Sequence, residues 1–394
     1  MRRQSLAVIL FAALVHASGL GFSAEPAKKP QAKPKPPRAT ATAPAQSAPA
    51  EAPPTASAPG DAALVETPAL PYLTLFLARD PTVHAELKLT AQQTAKLSQA
   101  IAEVDNEFWV LRDVPVAKCG DKLDALLARL REGIAQTLSA DQRQRFDQLV
   151  VQARGYRGLV APDLAAKVNL SDEQVTRIKK LLVAASEPAG AGAAGSDQAS
   201  SPKSASAGAP NSRAILDVLD DKQLAQLTRL TGEPFELGRV RQIGCVAPEL
   251  RDVSAWINTD GLDLKSKRGQ VVALHFWAFG CINCIRNLPH YQGWYEKFPK
   301  SELTIVGIHT PETQQEKSLE SLQANVKERG IQYPVAFDAA SENWKAWGNN
   351  MWPSVYLIDK RGQVRYWWYG ELNWEGARGE EFLRQKIAEL IAEK

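Results

Sequence analysis

The fold turns on VVALHFWAFGCINC, which runs from Val271 to Cys284. Its first seven residues are apolar or aromatic apart from His275, the pattern of a strand buried on both faces. Cys281 and Cys284 follow closely and enclose only Ile282 and Asn283, so a C-x-x-C pair stands where strand gives way to helix. At a helix N-terminus the unpaired backbone N–H groups and the positive end of the macrodipole favour a thiolate, which makes the first cysteine a nucleophile near neutral pH. The second lies one turn further on. Residues three apart on a helix carry Cβ atoms roughly 5 to 6 Å from each other, within reach of a disulfide after small adjustment. The pair is read as redox-active, cycling between dithiol and disulfide.

Other uses of the motif fit less well. A structural zinc site needs a second C-x-x-C or a histidine pair, and the remaining cysteines, Cys119 and Cys245, are isolated. Haem attachment by C-x-x-C-H fails because Ile285 follows Cys284. A static disulfide closing so short a ring would add little stability. No metal or cofactor is expected. Cys119 and Cys245 could pair with each other in an oxidising compartment.

The chain has 394 residues, 44% of them hydrophobic, and a formal net charge of +3, enough for two folded domains with ordinary cores. Its basic residues form no stripe beyond a Lys/Pro-rich segment near the N-terminus, so nucleic acid is not implied. Arg2 and Arg3 precede an apolar stretch from Leu6 to Leu20, with small residues at Ser23 and Ala24. Residues 1–24 read as a secretory signal peptide. Phe22 is bulky for the position it would hold before a cut after Ala24, which leaves an uncleaved N-terminal membrane anchor open. Either way the body of the chain is expected outside the cytoplasm, periplasmic or membrane-anchored.

Residues 25–60 hold ten of the 25 prolines and no large apolar residue, the composition of an extended, disordered tether. A second Gly/Ala/Ser/Pro tract, 186–212, reads as a flexible insertion. Around it, 70–232 reads as an all-α domain. Four times an apolar residue is followed by Thr, Ser or Asp and, three residues later, Gln: Thr90 with Gln93, Ser139 with Gln142, Ser171 with Gln174, and Asp220 with Gln223. Each is a capping-box helix start followed by an apolar stripe at helical spacing. This region carries no visible chemistry, and a spacer or partner-binding role is expected of it.

Nine of the ten tryptophans lie from Trp256 onward, where strands and helices alternate. Val271–Trp277 and Leu303–His309 suit central strands. A helix from about Cys281 to Phe298 separates them, with a kink expected at Pro289. A helix over Gln314–Arg329, a strand over Pro334–Asp338, a short helix over Ser341–Trp347, a hairpin of Ser354–Asp359 with Gln363–Tyr369 and a last helix from Gly379 complete the pattern. Residues 247–394 therefore form an α/β domain with a central mixed sheet flanked by helices, so the whole is multidomain: an N-terminal all-α part and a C-terminal thioredoxin-like part.

This C-terminal part resembles the TlpA/DsbE-type thioredoxin-like family, especially members joined to DipZ-type membrane reductases. The likeness rests on Ala247-Pro248-Glu249-Leu250, HFWAFGCINC, Leu288-Pro289, GIHTPE from Gly307 to Glu312, and WPSVYLID from Trp352 to Asp359. The helical segments look like those of small periplasmic LTXXQ-type proteins, on four short motifs alone. The thioredoxin-like resemblance implies that Cys281 attacks, Cys284 resolves, and Pro353 is a cis proline packed against the pair. Trp277 and Trp352 would stand near it as apolar walls, by packing or by docking a partner. Three departures stand out. His275 takes the place of a common acidic residue and would either deprotonate Cys284 or be a packed strand residue. Asn287 stands where some relatives have Glu. Gly280 replaces the usual tryptophan and is expected to leave open space over the sulfur.

The function expected is that of an extracytoplasmic thiol-disulfide oxidoreductase. The resemblance favours a reductant of protein disulfides, fed by a membrane-embedded thiol reductase, with cytochrome c apoproteins or misoxidised cysteines as clients. A redox-sensing binding module that uses the helical part is an alternative. A thiol peroxidase is another, although no Thr/Arg pocket motif precedes Cys281.

Overall fold

The computed structural model describes residues 70–184, 209–241 and 243–393. The expected signal peptide, the tether and most of the 186–212 insertion lie outside the described residues. The last residues of that insertion are not flexible coil, because helix α8 begins at Ala209. Among the described residues no helix is long and apolar enough to cross a membrane.

The helical part comprises α1 (Leu70–Arg79), α2 (Pro81–Glu86), α3 (Ala91–Leu111), α4 (Val116–Thr137), α5 (Ala140–Arg154), α6 (Pro162–Val168), α7 (Asp172–Ala184), α8 (Ala209–Leu216) and α9 (Asp221–Thr231). All four capping boxes form: Gln93, Gln142, Gln174 and Gln223 each accept the backbone N–H of their own cap residue. The same glutamines also bind one another in pairs. Gln93 donates to Gln142 at 2.8 Å and Gln174 to Gln223 at 2.8 Å, while the outer amide hydrogens reach carbonyls just before the partner's cap. The helical part is thus built from two copies of one cross-linked pair of helix starts, 49 residues apart within each copy.

The two copies fall in different compact units, so the single helical domain expected over 70–232 divides. One unit holds 154–184 and 209–229; the other joins 70–153 to 230–393. The second grouping is explained by buried charge. Arg79 on α1 forms an ion pair with Asp105 on α3 and donates to the carbonyls of Ile243 and Gly244, while Asp105 accepts the Val246 N–H at 2.8 Å. Arg112, at the C-terminal end of α3, donates to the carbonyls of Trp347 and Gly348 and to the hydroxyls of Tyr356 and Tyr369. Its guanidinium also lies 3.9 Å from the centre of the Trp109 ring. Gly348 is required there: its φ is +62°, and a Cβ would meet Arg112 Nη1 and Val110 Cα at 2.9 Å.

The strands are β1 (Cys245–Val246), β2 (Ala255–Ile257), β3 (Val271–Trp277), β4 (Leu303–His309), β5 (Val335–Phe337), β6 (Ser354–Ile358) and β7 (Gln363–Tyr369). They form one mixed sheet in the order β1-β7-β6-β3-β4-β5-β2, with β3, β4 and β5 parallel and β6 antiparallel to β3. The two-residue alternation of β3 serves both faces. Val271, Ala273 and Trp277 pack with α10 (Ile282–Lys297) and α13 (Gly379–Ala392). Val272, Leu274 and Phe276 pack with Trp347, Tyr356 and, from α3, Trp109.

Two elements differ from expectation. The helix α10 is not interrupted at Pro289. The helix expected over Gln314–Arg329 is split into a 3-10 turn, Gln314–Lys317, and α11, Leu319–Glu328. The break has a local cause. Ser318 starts α11 afresh by accepting the Ser321 N–H, while Thr313 and Glu316 close a capping box of their own.

Candidate active site

Strand β3 ends at Trp277 and Cys281 is the N-cap of α10, with extended backbone (φ −78°, ψ 111°) and its carbonyl accepting the Ile285 N–H. All four cysteines are free thiols. Cys281 is half-buried and Cys284, one turn on, is 1% exposed. The Cys284 thiol is the main cause that holds Cys281 down at about 7, against the cost of burial; the N–H groups of Cys284 and Asn283 face the sulfur and help, without closing a cap hydrogen bond. Burial pushes Cys284 far up, and both the Cys281 sulfur and Glu312 push the same way. The two sulfurs therefore differ: one ionises near neutrality, the other keeps its proton.

The Trp352–Pro353 peptide is cis, as the resemblance implies. Register places it beside the pair, because Ser354 lies opposite Phe276, next to the end of β3 that leads into the cysteines. Trp352 is half-buried, stacked on Trp344 at 3.8 Å, and its indole N–H donates to the Thr310 carbonyl. Trp277 is fully buried, so of the two expected walls only Trp352 keeps an edge that a partner can touch.

His275 is a packed strand residue. It is fully buried, its ring stacks on Tyr291 at 4.1 Å, and Nε2 lies 3.1 Å from the Tyr333 hydroxyl. Burial holds it down at about 3, so it is neutral and too weak a base to deprotonate a thiol near pH 7. Asn287 likewise works on the backbone, donating to the Gly370 carbonyl and accepting the Leu372 N–H. The Cys119–Cys245 cross-link, a possibility in sequence, is not formed. Cys119 lies in the core of α1 to α5 and Cys245 in the core under β1, β3 and β6.

The space beside Gly280 is taken by Glu316. A Cβ on Gly280 would come 2.9 Å from Oε1 of Glu316. Glu316 is 2% exposed and accepts three backbone N–H groups: Gly280 at 2.7 Å, Glu312 at 2.7 Å and Thr313 at 2.8 Å. Close by, His309 stacks on Phe279 at 5.1 Å; burial holds it down at about 4, and neither ring nitrogen has a hydrogen-bond partner in another residue. Glu316 does have a signal in the sequence, since Thr313-Gln-Gln-Glu316 is itself a capping-box pattern. Arg112 has none, because the partners that tie it to the sheet side, Trp347, Gly348, Tyr356 and Tyr369, lie more than two hundred residues away.

With this geometry in hand, comparison with known proteins is specific. The AhpC/TSA family matches residues 243–367. Protein DipZ of Mycobacterium bovis is 44% identical over 128 residues, 32% of this chain and 18% of that protein. Thiol-disulfide oxidoreductase YkuV of Bacillus subtilis is 24% identical over 146 residues, 37% of this chain and 94% of that one. This region belongs to the TlpA/DsbE-like thioredoxin-fold family. Among solved structures, a thiol-disulfide isomerase from Corynebacterium glutamicum matches the TlpA/DsbE-like domain at 25% identity and a TM-score of 0.33, covering 38% of this chain and 98% of that one. The chain spans less than a fifth of the length of its mycobacterial relatives, and the AhpC/TSA match, which begins at residue 243, leaves the helical part outside it.

Proposed function

We propose that the chain is a thiol-disulfide oxidoreductase that reduces protein disulfides through Cys281 and Cys284. The observation that carries this reading is the asymmetry of the pair, an exposed-edge thiol held down at about 7 beside a buried thiol held far above it. Cys281, as thiolate, attacks one sulfur of a partner's disulfide, forming a mixed disulfide and expelling the partner's other sulfur as thiolate. Cys284 then loses its proton and attacks Cys281, closing the Cys281–Cys284 disulfide and releasing the partner as a dithiol. Two electrons pass to the partner, so a donor must reduce the pair again. The resemblance to DipZ-joined members supports a membrane-embedded thiol reductase in that role, and the signal-like N-terminal stretch supports an extracytoplasmic site of action.

Replacing Cys281 with Ser should abolish disulfide exchange. Cys284→Ser should instead accumulate mixed disulfide with a model protein disulfide, seen by non-reducing gel and mass spectrometry. The rate of Cys281 alkylation by iodoacetamide should rise with pH through a midpoint near 7, the ordinary sign for a thiol whose reactive form is the anion. Full exchange activity in Cys281→Ser would overturn the assignment.

A further inference from the structure

The proton of Cys284 has no acceptor in the site as described so far. His275 is a neutral, packed residue, and Asn287 cannot take a proton. The carboxylate that acts electrostatically on both sulfurs comes from elsewhere, out of the GIHTPE stretch after β4. Glu316 ties that stretch down. One of its oxygens accepts the Gly280 N–H, the residue before Cys281, and the other accepts the Glu312 N–H. A single buried carboxyl group thus holds the backbone at 280, next to Cys281, and the backbone at 312 on its two oxygens, while the Glu312 side chain itself is exposed. Glu312 acts electrostatically on both Cys281 and Cys284.

We propose that Glu312, set in place by the positioning residue Glu316, exchanges the Cys284 proton with solvent during thiol-disulfide exchange, an inference that rests on Cys281 and Cys284 being the redox pair. The timing suits it. While Cys281 is a thiolate, its charge and hydrogen bond hold the proton on Cys284; once Cys281 is tied in the mixed disulfide, both of those causes vanish, and what remains is burial, the Ala278 backbone, which favours the thiolate, and Glu312. The Cys284 S–H then gives its proton to the Glu312 carboxylate, directly or through one water, and the Cys284 thiolate attacks the Cys281 sulfur. The Cys281–Cys284 bond forms as the mixed disulfide breaks, the electron pair leaving on the partner's sulfur. Because Glu312 is exposed, its proton passes on to water, which a buried base could not do. In the reverse direction the same carboxyl returns it.

The test uses the full chain and 5,5′-dithiobis(2-nitrobenzoate) as the disulfide, followed by stopped-flow absorbance at pH 6. Wild type should release thionitrobenzoate in two phases, attack by Cys281 and then displacement by Cys284. Cys284→Ser should show the first phase alone. In Glu312→Gln the first phase should quicken, because removing an anion leaves more Cys281 as thiolate, while the second should slow by about 10²-fold. Glu312→Asp should recover part of the second phase. Opposite movement of the two phases is what a disturbed fold would not give. A second phase at the wild-type rate in Glu312→Gln, or equal slowing of both phases, overturns the role of Glu312 and leaves the redox pair standing. A wild-type protein lacking the second phase overturns the pair and this inference with it.

Discussion

Asp105 and Glu316 are both buried acids in the same compact unit, and they are satisfied in opposite ways. Asp105 faces a cation: the Arg79 guanidinium takes one oxygen and the Val246 N–H the other, and burial still holds the acid above its ordinary range against the pull of Arg79. Glu316 has three backbone N–H groups for partners, all from the loops around Cys281. The ion pair joins distant parts of the chain, residue 79 to 105 to 246, and so fastens the first helices to the edge of the sheet. The N–H cage ties the backbone before Cys281 to the loop at 312 and 313, the loop that carries the proposed proton acceptor. Burial of a charge serves assembly in one region and chemistry in the other.

The comparison breaks most easily at the ion pair. Arg79→Met should destabilise the unit by about 3–5 kcal/mol, because Asp105 is then buried with no cation and the carbonyls of Ile243 and Gly244 lose their donor. Urea denaturation followed by tryptophan fluorescence reads this directly, since the tryptophans of this chain lie within that unit. Adding Asp105→Leu to the same variant should restore much of the loss, as replacement of both charges by apolar groups commonly does. A cost under about 1 kcal/mol for Arg79→Met would show that the ion pair does not fasten the helices.

The cage at Glu316 should be softer. Glu316→Gln keeps the shape but puts an amide NH₂ where one oxygen accepted an N–H, leaving a backbone donor unpaired, so the loss should be about 1–3 kcal/mol. Its second effect separates it from the ion pair: the thionitrobenzoate displacement phase should slow as Glu312 loses its anchor, whereas Arg79→Met, measured where the protein is folded, should leave that phase unchanged. If both variants alter the displacement phase alike, the division between assembly and chemistry fails.

What the sequence made legible follows the range of the interactions. The C-x-x-C at the end of a buried strand, the capping boxes, the hairpin at Gly362 and the order of strands and helices are written over a few residues each, and each forms. His275 was ambiguous because the question is burial: an imidazole in water titrates near pH 6.5, but one stacked on Tyr291 beneath the sheet does not. Gly280 is a related case, since the residue that packs beside it, Glu316, is 36 positions away. Arg79 and Asp105 lie on helices and Arg112 caps one. Nothing near them in sequence says that those helices meet a sheet.

The helical copies offer the smallest and most discriminating test. Gln142 and Gln223 do the same work, each accepting its own cap N–H and donating both to the partner glutamine and to a carbonyl, Leu87 and Asn169 respectively. Replacing either with Ala removes a reciprocal cap and leaves the Leu87 or Asn169 carbonyl without that donor, worth about 1 kcal/mol in each case. The readouts should nevertheless differ. Gln142 belongs to the unit that contains the tryptophans, so Gln142→Ala should lower the urea midpoint seen both by fluorescence and by far-ultraviolet circular dichroism. Gln223 belongs to the other unit, which has no tryptophan, so Gln223→Ala should shift only the circular dichroism component and leave the fluorescence transition where it was. Equal fluorescence shifts would mean that the two copies unfold as one body, and that the buried charges of α1 and α3 do not decide which copy shares its stability with the redox domain.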